Sequence, residues 1–411
     1  MRGLFHRLAL YAILTLRTNN TANLKICSMK NLYILLTLIL FYSCKKDKEP
    51  EPITPETSPT YFTFGGQIGT YDNSTLVSTD NNLIICGNSG TNLSVLKISK
   101  AGSQIWRKDF AAGNGSTTSG ITETSSQEIF ICGKSARNYS IMKNDVLLIK
   151  TNSTGDTIWS KTYGGTESEY STNVITTSDG NILIAGKTES FGAGTFGDIY
   201  LIKVNTNGDT LWTRNYPDQD QEVPFHLMET QNGEYLVTGT NEDNSQYREL
   251  YLLKVDLNGT QVWNKKIGPP TWKWGFSTIE LSNGNLLTCG QHSETGFSQV
   301  LLVKTDNIGN VIWEKEFGES NLSEQGNSIK QNSDSSFNIT GSSFDVSSGL
   351  SYIILLKVDA SGNKIFLKKF GGSSGESGVN LIKDSNDDNI ITGNYNGNIF
   401  MTKTDSNGTF K

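Results

Sequence analysis

The sequence predicts an all-β fold, a seven-bladed β-propeller of four-stranded antiparallel blades closed by an N-terminal strand. Three observations carry this. A unit with Lys97, Lys150, Lys203, Lys254, Lys304, Lys357 or Lys403 near its third turn recurs every 46–53 residues, the mark of a repeated supersecondary unit. Within each unit short, β-branched-rich runs alternate with Gly- and Asx-rich turns, a strand pattern. The seventh copy stops at Lys411, short of its fourth strand, and a matching strand stands at Thr60–Gly66.

The unit from Gly164 to Tyr216 shows the elements in order. Tyr170–Thr177 is a first strand, ended by Ser178-Asp179-Gly180-Asn181. Ile182–Lys187 returns as its hairpin partner across the Asp-Gly turn. A loop leads to a third strand at Asp198–Asn205, and Thr206-Asn207-Gly208 turns into a fourth at Asp209–Tyr216. The second strand ends at Gly87, Gly133, Gly186, Gly239, Gly290, Gly341 or Gly393. The last turn carries Gly102, Gly155, Gly208, Gly259, Gly309, Gly362 or Gly408, followed four residues on by Trp106, Trp159, Trp212, Trp263, Trp313 or Phe366. Thr60-Tyr61-Phe62-Thr63-Phe64-Gly65-Gly66 matches Trp159–Gly165, so the N-terminal segment supplies the strand the last unit lacks. An open array would need caps. A closed ring of four-stranded units is a propeller, which protects its strand edges.

The run Asp-x-Tyr-Leu-x-Lys followed by Gly and Trp, clearest at Asp198–Tyr216 and Tyr251–Gly268, resembles the β-propeller repeats of secreted and lipid-anchored bacterial proteins. The resemblance covers residues 60–411. Asp256-Leu257-Asn258-Gly259 with Trp263 also resembles the tryptophan-docking motif of quinoprotein-type propellers. Those commonly have eight blades, and their dehydrogenases often carry adjacent cysteines. This chain has seven units and no Cys-Cys pair, so no cofactor is expected.

Residues 1–43 read as a signal region whose true start is Met29. Met29-Lys30 is a basic start, and Leu32–Tyr42 is an apolar run too short to span a bilayer comfortably. Ser43-Cys44 then resembles a lipobox, which makes Cys44 the lipidation site. Phe41 and Tyr42 depart from its usual small or aliphatic residues. Residues 44–59 are a charged, Pro-rich tether without core-forming residues. Membrane attachment would therefore be through lipid, and the resemblance implies the bacterial outer membrane.

Five cysteines make no disulfide framework. Cys86, Cys132 and Cys289 fill a slot that other units give to Ala185, Thr238, Thr340 and Thr392, so they read as small packing residues. A formal net charge of −6 without a basic patch argues against nucleic acid. A monomer is expected.

A residue present in every unit is scaffold; one confined to a unit or two is a better functional candidate. By that rule the Trp series packs between units, each ring contributing about 2–3 kcal/mol. The Lys series covers aromatic rings with its stems and keeps its heads in water, while the Asx residue two positions later starts a turn. Glu169, Glu222, Glu324 and Glu376 fall at one equivalent position, where the other units have Thr70, Ser116 and Lys273. Four carboxylates there would ring the channel mouth and bind a cation or a sugar, or cap local backbone groups. Trp272 and Trp274 lie in Gly268–Gly275, a loop without parallel in other units, where exposed rings stack on sugars or dock partners. Phe225 and His226 complete the candidate ligand-binding set. Asp218-Gln219-Asp220-Gln221-Glu222 alternates acids as calcium loops do, but lacks the turn glycine. His226 and His292, in different units, show no metal-ligand spacing, so no metal is expected. No nucleophile elbow or phosphate loop appears, so no catalytic residues are assigned. The reading favours a non-enzymatic envelope lipoprotein whose loop face binds glycan or protein. The alternatives are a glycoside hydrolase or lyase using the acidic mouth, and a scaffold for outer-membrane assembly.

Overall fold

A computed structural model describes residues 60–411, except 70–72, 112–115, 139–142, 193–196, 219, 243–246 and 295, with residues 136–138 and 269–270 described as backbone only. The signal region, Cys44 and the tether lie outside the described residues, as does Thr70.

The described chain is all-β. The third unit runs Glu169–Thr176, Ile182–Thr188, Asp198–Val204 and Thr210–Tyr216 as a four-stranded antiparallel meander. These limits agree with the sequence reading to within one residue. The Asp-Gly turn forms as expected: Thr177 N donates to Asn181 O at 2.9 Å, and Gly180 adopts φ +76°. The third strand is buried along its whole length. It lies between neighbouring strands in its sheet and between neighbouring units, which is why its sequence reads as a nearly continuous apolar run. The fourth strand is exposed or half-buried up to Tyr216, which is buried.

Units meet through apolar clusters. Leu183, Leu201 and Tyr216 of the third unit pack with Leu227, Tyr235 and Leu253 of the fourth. Equivalent clusters join each unit to the next, and one joins Val379, Ile390 and Met401 of the last unit to Leu83, Ile85 and Leu96 of the first. The aromatic series spans the same junctions. A Cβ on Gly155, Gly208, Gly259, Gly309 or Gly362 would strike Trp106, Trp159, Trp212, Trp263 or Trp313 of the preceding unit. Each ring therefore lies on the glycine of the next turn. Gly102 of the first unit meets the ring of Phe62.

Phe62 comes from the N-terminal strand Phe62–Gly65, which pairs antiparallel with Asn398–Thr404 of the last unit. Phe410 bridges to Thr404, and Lys411 N donates to Lys403 O at 3.0 Å. Thr402 Oγ1 donates to Thr60 O at 2.9 Å. The chain's last residues thus begin an outer strand that its first described residues continue.

The second-strand glycines have a single physical cause. Each first strand from the second unit to the seventh bulges beside that glycine, as between Ser171 and Asn173 opposite Gly186. The bulge brings a carbonyl against the opposing strand, so a Cβ on Gly186 would overlap Tyr170 O, and one on Gly290 would overlap Trp274 O. In the first unit the strand is broken instead, into Gln67–Ile68 and Thr75–Val77.

Two expectations change. Six of the seven Lys heads are held by acids rather than left in water. Lys203 is 3% exposed and its ammonium bonds Asp179 at 2.6 Å and Tyr235 Oη at 2.7 Å. Lys97, Lys150, Lys254, Lys357 and Lys403 likewise pair with an acid in or beside their own unit's first hairpin turn. Burial works against the charge on Asp179, yet hydrogen bonds from Lys203, Thr177 and Asn181 hold its pKa far below the usual range. Gly268–Gly275 is not a loop. It is the middle of one long strand, Gln261–Glu280, which closes the fourth unit and opens the fifth. The Asx turns form as read: Asp256 Oδ1 accepts from Asn258 N and Thr260 N, both at 2.8 Å. Cys86, Cys132 and Cys289 are free and buried.

Candidate functional site

Three of the four glutamates hold equivalent ladder positions, and Glu376 stands one residue before its strand. Glu169 pairs with Thr188, Glu222 with Asn241 and Glu324 with Ser343, each two residues beyond the second-strand glycine. Their side chains turn into the protein: Glu169, Glu222 and Glu324 are 0% exposed and Glu376 is 2% exposed. They do not stand as solvent-facing carboxylates. Glu169 accepts from Gly165 N at 2.8 Å, Thr188 Oγ1 at 2.8 Å and Ser190 N at 3.2 Å. Glu324 accepts from Glu319 N at 2.8 Å and pairs with Lys369 at 3.1 Å. Glu376 accepts from Gly372 N at 2.7 Å and Ser373 Oγ at 2.5 Å. These three tie down the connection that precedes their own strand.

Glu222 differs. Asn241 Nδ2 donates to its Oε1 at 2.7 Å, but its Oε2 has no hydrogen-bond partner. Burial, with the nearby charges of Asp218 and Asp198, pushes its pKa up to about 8. At neutral pH the group holds its proton. Asp218 and Asp220 do not converge as a calcium loop; both pair with Lys266, at 3.0 and 2.8 Å.

The fifth unit reverses the charge. Lys273 takes the glutamate position, is 3% exposed, and reaches Glu314 at 2.5 Å. Its ladder partner is His292, whose Nδ1 lies 2.5 Å from Glu316 Oε1. Lys273 is flanked by the two tryptophans. Strand alternation puts both rings on the face opposite its own side chain. Trp274 is half-buried beneath Arg248, whose guanidinium lies 5.3 Å from the ring centroid and pairs with Glu242 at 2.8 Å. Trp272 is 42% exposed. One ring is thus engaged and the other is presented. Phe225 packs edge-on against Phe276 with centroids 5.2 Å apart, both at bulges in their first strands. His226 is half-buried opposite Thr238. The candidates therefore separate into buried staples and one exposed sector where the fourth and fifth units join.

Sequence reasoning missed the His292 cluster, because its members come from different strands. It also missed a second set of acids at the opposite, hairpin-turn end. Thr79 N donates to Glu123, Ser178 N to Glu229 and Gln231 N to Glu280, each in the following unit, at 2.6–2.7 Å. A concavity of about 560 Å³ lies at that end, lined by Ser178, Met228, Gln231 and Glu280. Another, of about 500 Å³, separates the outer strands of the first two units beside Phe110, Leu147 and Ser160. The tryptophan sector lines neither.

No protein-family model matches the chain, and no curated protein matches it in sequence. Solved structures do match in shape. A polysaccharide lyase of family PL25, an ulvan lyase bound to -[GlcA(1-4)Rha3S]-, superposes with a TM-score of 0.56 at 10% identity, over 83% of this chain and 94% of the lyase. The WD40 domain of Neurospora crassa Pan2 gives 0.51 at 11% identity, over 82% and 88%. Drosophila plexin A, in complex with semaphorin 1b, gives 0.50 at 9% identity, over 84% and 87%. At these identities the likeness concerns fold alone, and the fold is of the β-propeller type.

Proposed function

We propose that this chain is a closed, seven-bladed propeller that binds glycan through the exposed sector where the fourth and fifth units join. Closure is supported by the pairing of Phe62–Gly65 with the last unit, by Phe62 on Gly102, and by the apolar cluster joining last and first units. The binding reading rests on one observation. Trp272 holds a large aromatic face in water, in a connection that runs as one strand from the fourth unit into the fifth. A flat ring of this kind stacks on the apolar face of a sugar. The fold also serves a polysaccharide lyase, so it accommodates polysaccharide. Lipid attachment at Cys44 would hold the domain, as a monomer, at the outer membrane, where such polymers are met. Acyl labelling that is lost in Cys44→Ala tests the anchor.

A glycan array with folded protein tests the binding. The expected result is retention of a defined polysaccharide class, weakened at least about tenfold by Trp272→Ala. Retention unchanged by Trp272→Ala would remove the site, and a blank array would remove the function. Capture of an envelope or membrane-assembly protein instead, by cross-linking in cells, would favour the protein-binding or scaffold reading. A hydrolase or lyase reading has one observation in its favour, the raised pKa of Glu222. That carboxyl is fully buried. Turnover on a polysaccharide panel, abolished in Glu222→Gln, would establish it.

A further inference from the structure

We propose that His292, Glu314 and Glu316 form a binding site for a divalent transition-metal ion in the fifth unit. One ligand atom from each of the three lies within 4.8 Å of the other two. His292 comes from the second strand of the unit and both glutamates from the fourth, at alternate positions that share a face.

The cluster holds more carboxylates than fixed positive charges. Glu294, Glu314 and Glu316 all approach His292 or Lys273, and Lys273 is the one fixed positive charge among them. Its ammonium is taken by Glu314 at 2.5 Å. The imidazole is left between two carboxylates, with Nδ1 2.5 Å from Glu316 and Nε2 3.7 Å from Glu294. His292 is 6% exposed, and its Nε2 has no hydrogen-bond partner.

A neutral imidazole carries one proton. On Nδ1 that proton is donated to Glu316, and Nε2 is left without a hydrogen-bond partner. A metal ion would take the place of the Nδ1 proton, with the Glu316 carboxylate moving back to ligate it, and the imidazole proton would pass to Nε2, facing Glu294. Glu294 then becomes the outer carboxylate that orients the ring, as carboxylates do behind metal-bound histidines. One imidazole and two carboxylates suit zinc or a neighbouring first-row metal better than calcium or magnesium, which take oxygen ligands alone. The glutamate side chains are 27% and 37% exposed, so an ion has a way in. Lys273 competes for Glu314, and binding displaces its ammonium.

The test uses the full chain, stripped with chelator and titrated with Zn²⁺ by calorimetry and with Co²⁺ by visible absorption. Residues outside the described part include cysteines, so the site is counted as the equivalents that a substitution removes. One equivalent should disappear, or weaken at least about tenfold, in His292→Ala and in Glu316→Gln. Lys273→Met should bind more tightly. The Co²⁺ bands of this equivalent should vanish with His292. Glu316 lies on an exposed outer strand, so Glu316→Gln reads the site even if His292→Ala fails to fold. Zn²⁺ binding that is absent from the parent protein, or identical in the parent and both variants, overturns the proposal. In that case the contact between His292 and Glu316 is a hydrogen bond alone.

Discussion

Glu169 in the third unit and Glu222 in the fourth occupy the same rung of the same ladder, and their environments are opposite. The difference begins with the residue that follows the last aromatic or aliphatic of the preceding outer strand. After Tyr163 comes Gly164; a Cβ there would collide with the Glu169 carboxylate. Gly318 and Gly371 leave the same room for Glu324 and Glu376, and Gly268 leaves it for Lys273. After Tyr216 comes Pro217. A ring stands where the others have no side chain, and Asp218 and Asp198 add negative charge nearby. Glu169, Glu324 and Glu376 accept from the backbone amides of Gly165, Glu319 and Gly372, whereas Glu222 accepts from the Asn241 side chain alone, and burial raises its pKa. A buried charge is tolerated when its connection has room to wrap it, and otherwise the group neutralises.

The largest effect that tests this contrast is Glu324→Gln. It leaves one acceptor oxygen where two served Glu319 N and Lys369, and it takes the buried negative charge away from Lys369. The expected cost is about 3 kcal/mol by urea unfolding; a loss below about 1 kcal/mol would mean the staple is idle. Glu169→Gln should cost about 2 kcal/mol, since it breaks neutral donors only. Glu222→Gln should behave differently: near neutral at pH 5 and stabilising at pH 8. Glu222 is raised from an ordinary 4.5 to about 8 on folding. Between those values the native state holds a proton that the unfolded chain releases. Its contribution is therefore most favourable below about pH 4.5, declines as pH rises, and levels off above about pH 8. Unfolding curves across this window should show that decline in the parent and not in Glu222→Gln; parallel curves would refute the assignment. Pro217→Gly is the finer probe. It restores the room that Gly164 leaves for Glu169 and lets the connection wrap the carboxyl, so the Glu222 carboxyl should titrate lower by ¹³C NMR, whatever small entropic cost the glycine adds. The smallest stability change belongs to Trp272→Ala, within about 0.5 kcal/mol as for exposed positions generally. A larger loss would show that its ring is structural.

Much of the scaffold was legible because its cause repeats. The second-strand glycines and the turn glycines recur in register, and each answers a steric demand that is the same in every unit. The completing strand at Tyr61–Gly65 was legible for the same reason. The shared position of Glu169, Glu222, Glu324 and Glu376 could also be aligned. What alignment could not show was direction. A strand's side chains alternate between faces, and a bulge of one residue near each of these glutamates shifts that count. Trp272 looked like a loop residue because Gly268-Pro269-Pro270 reads as a breaker. The outer strand instead runs through it into the next unit, with only a register shift between Arg248 and Leu250. His292 and Glu316 lie two strands apart, and no local pattern links them.

The seam made from both chain ends has a kinetic meaning. Thr402 and Thr60 are bonded across 342 residues of sequence. Every other unit closes on strands within its own stretch of about fifty residues, so it has all of its strands as soon as that stretch has emerged. The last unit cannot take its outer strand until Asn398–Thr404 has been made, although that outer strand was among the first parts of the domain to be made. Until then the segment Thr60–Gly65 waits without its partner, and the first unit waits without the neighbour that will cover Leu83 and Ile85. Long-range pairing of this sort is slow and exposes strand edges while it is pending. The interval between the synthesis of Asn398–Thr404 and the docking of Phe62 on Gly102 is a period in which this protein is open to mispairing with another copy of itself.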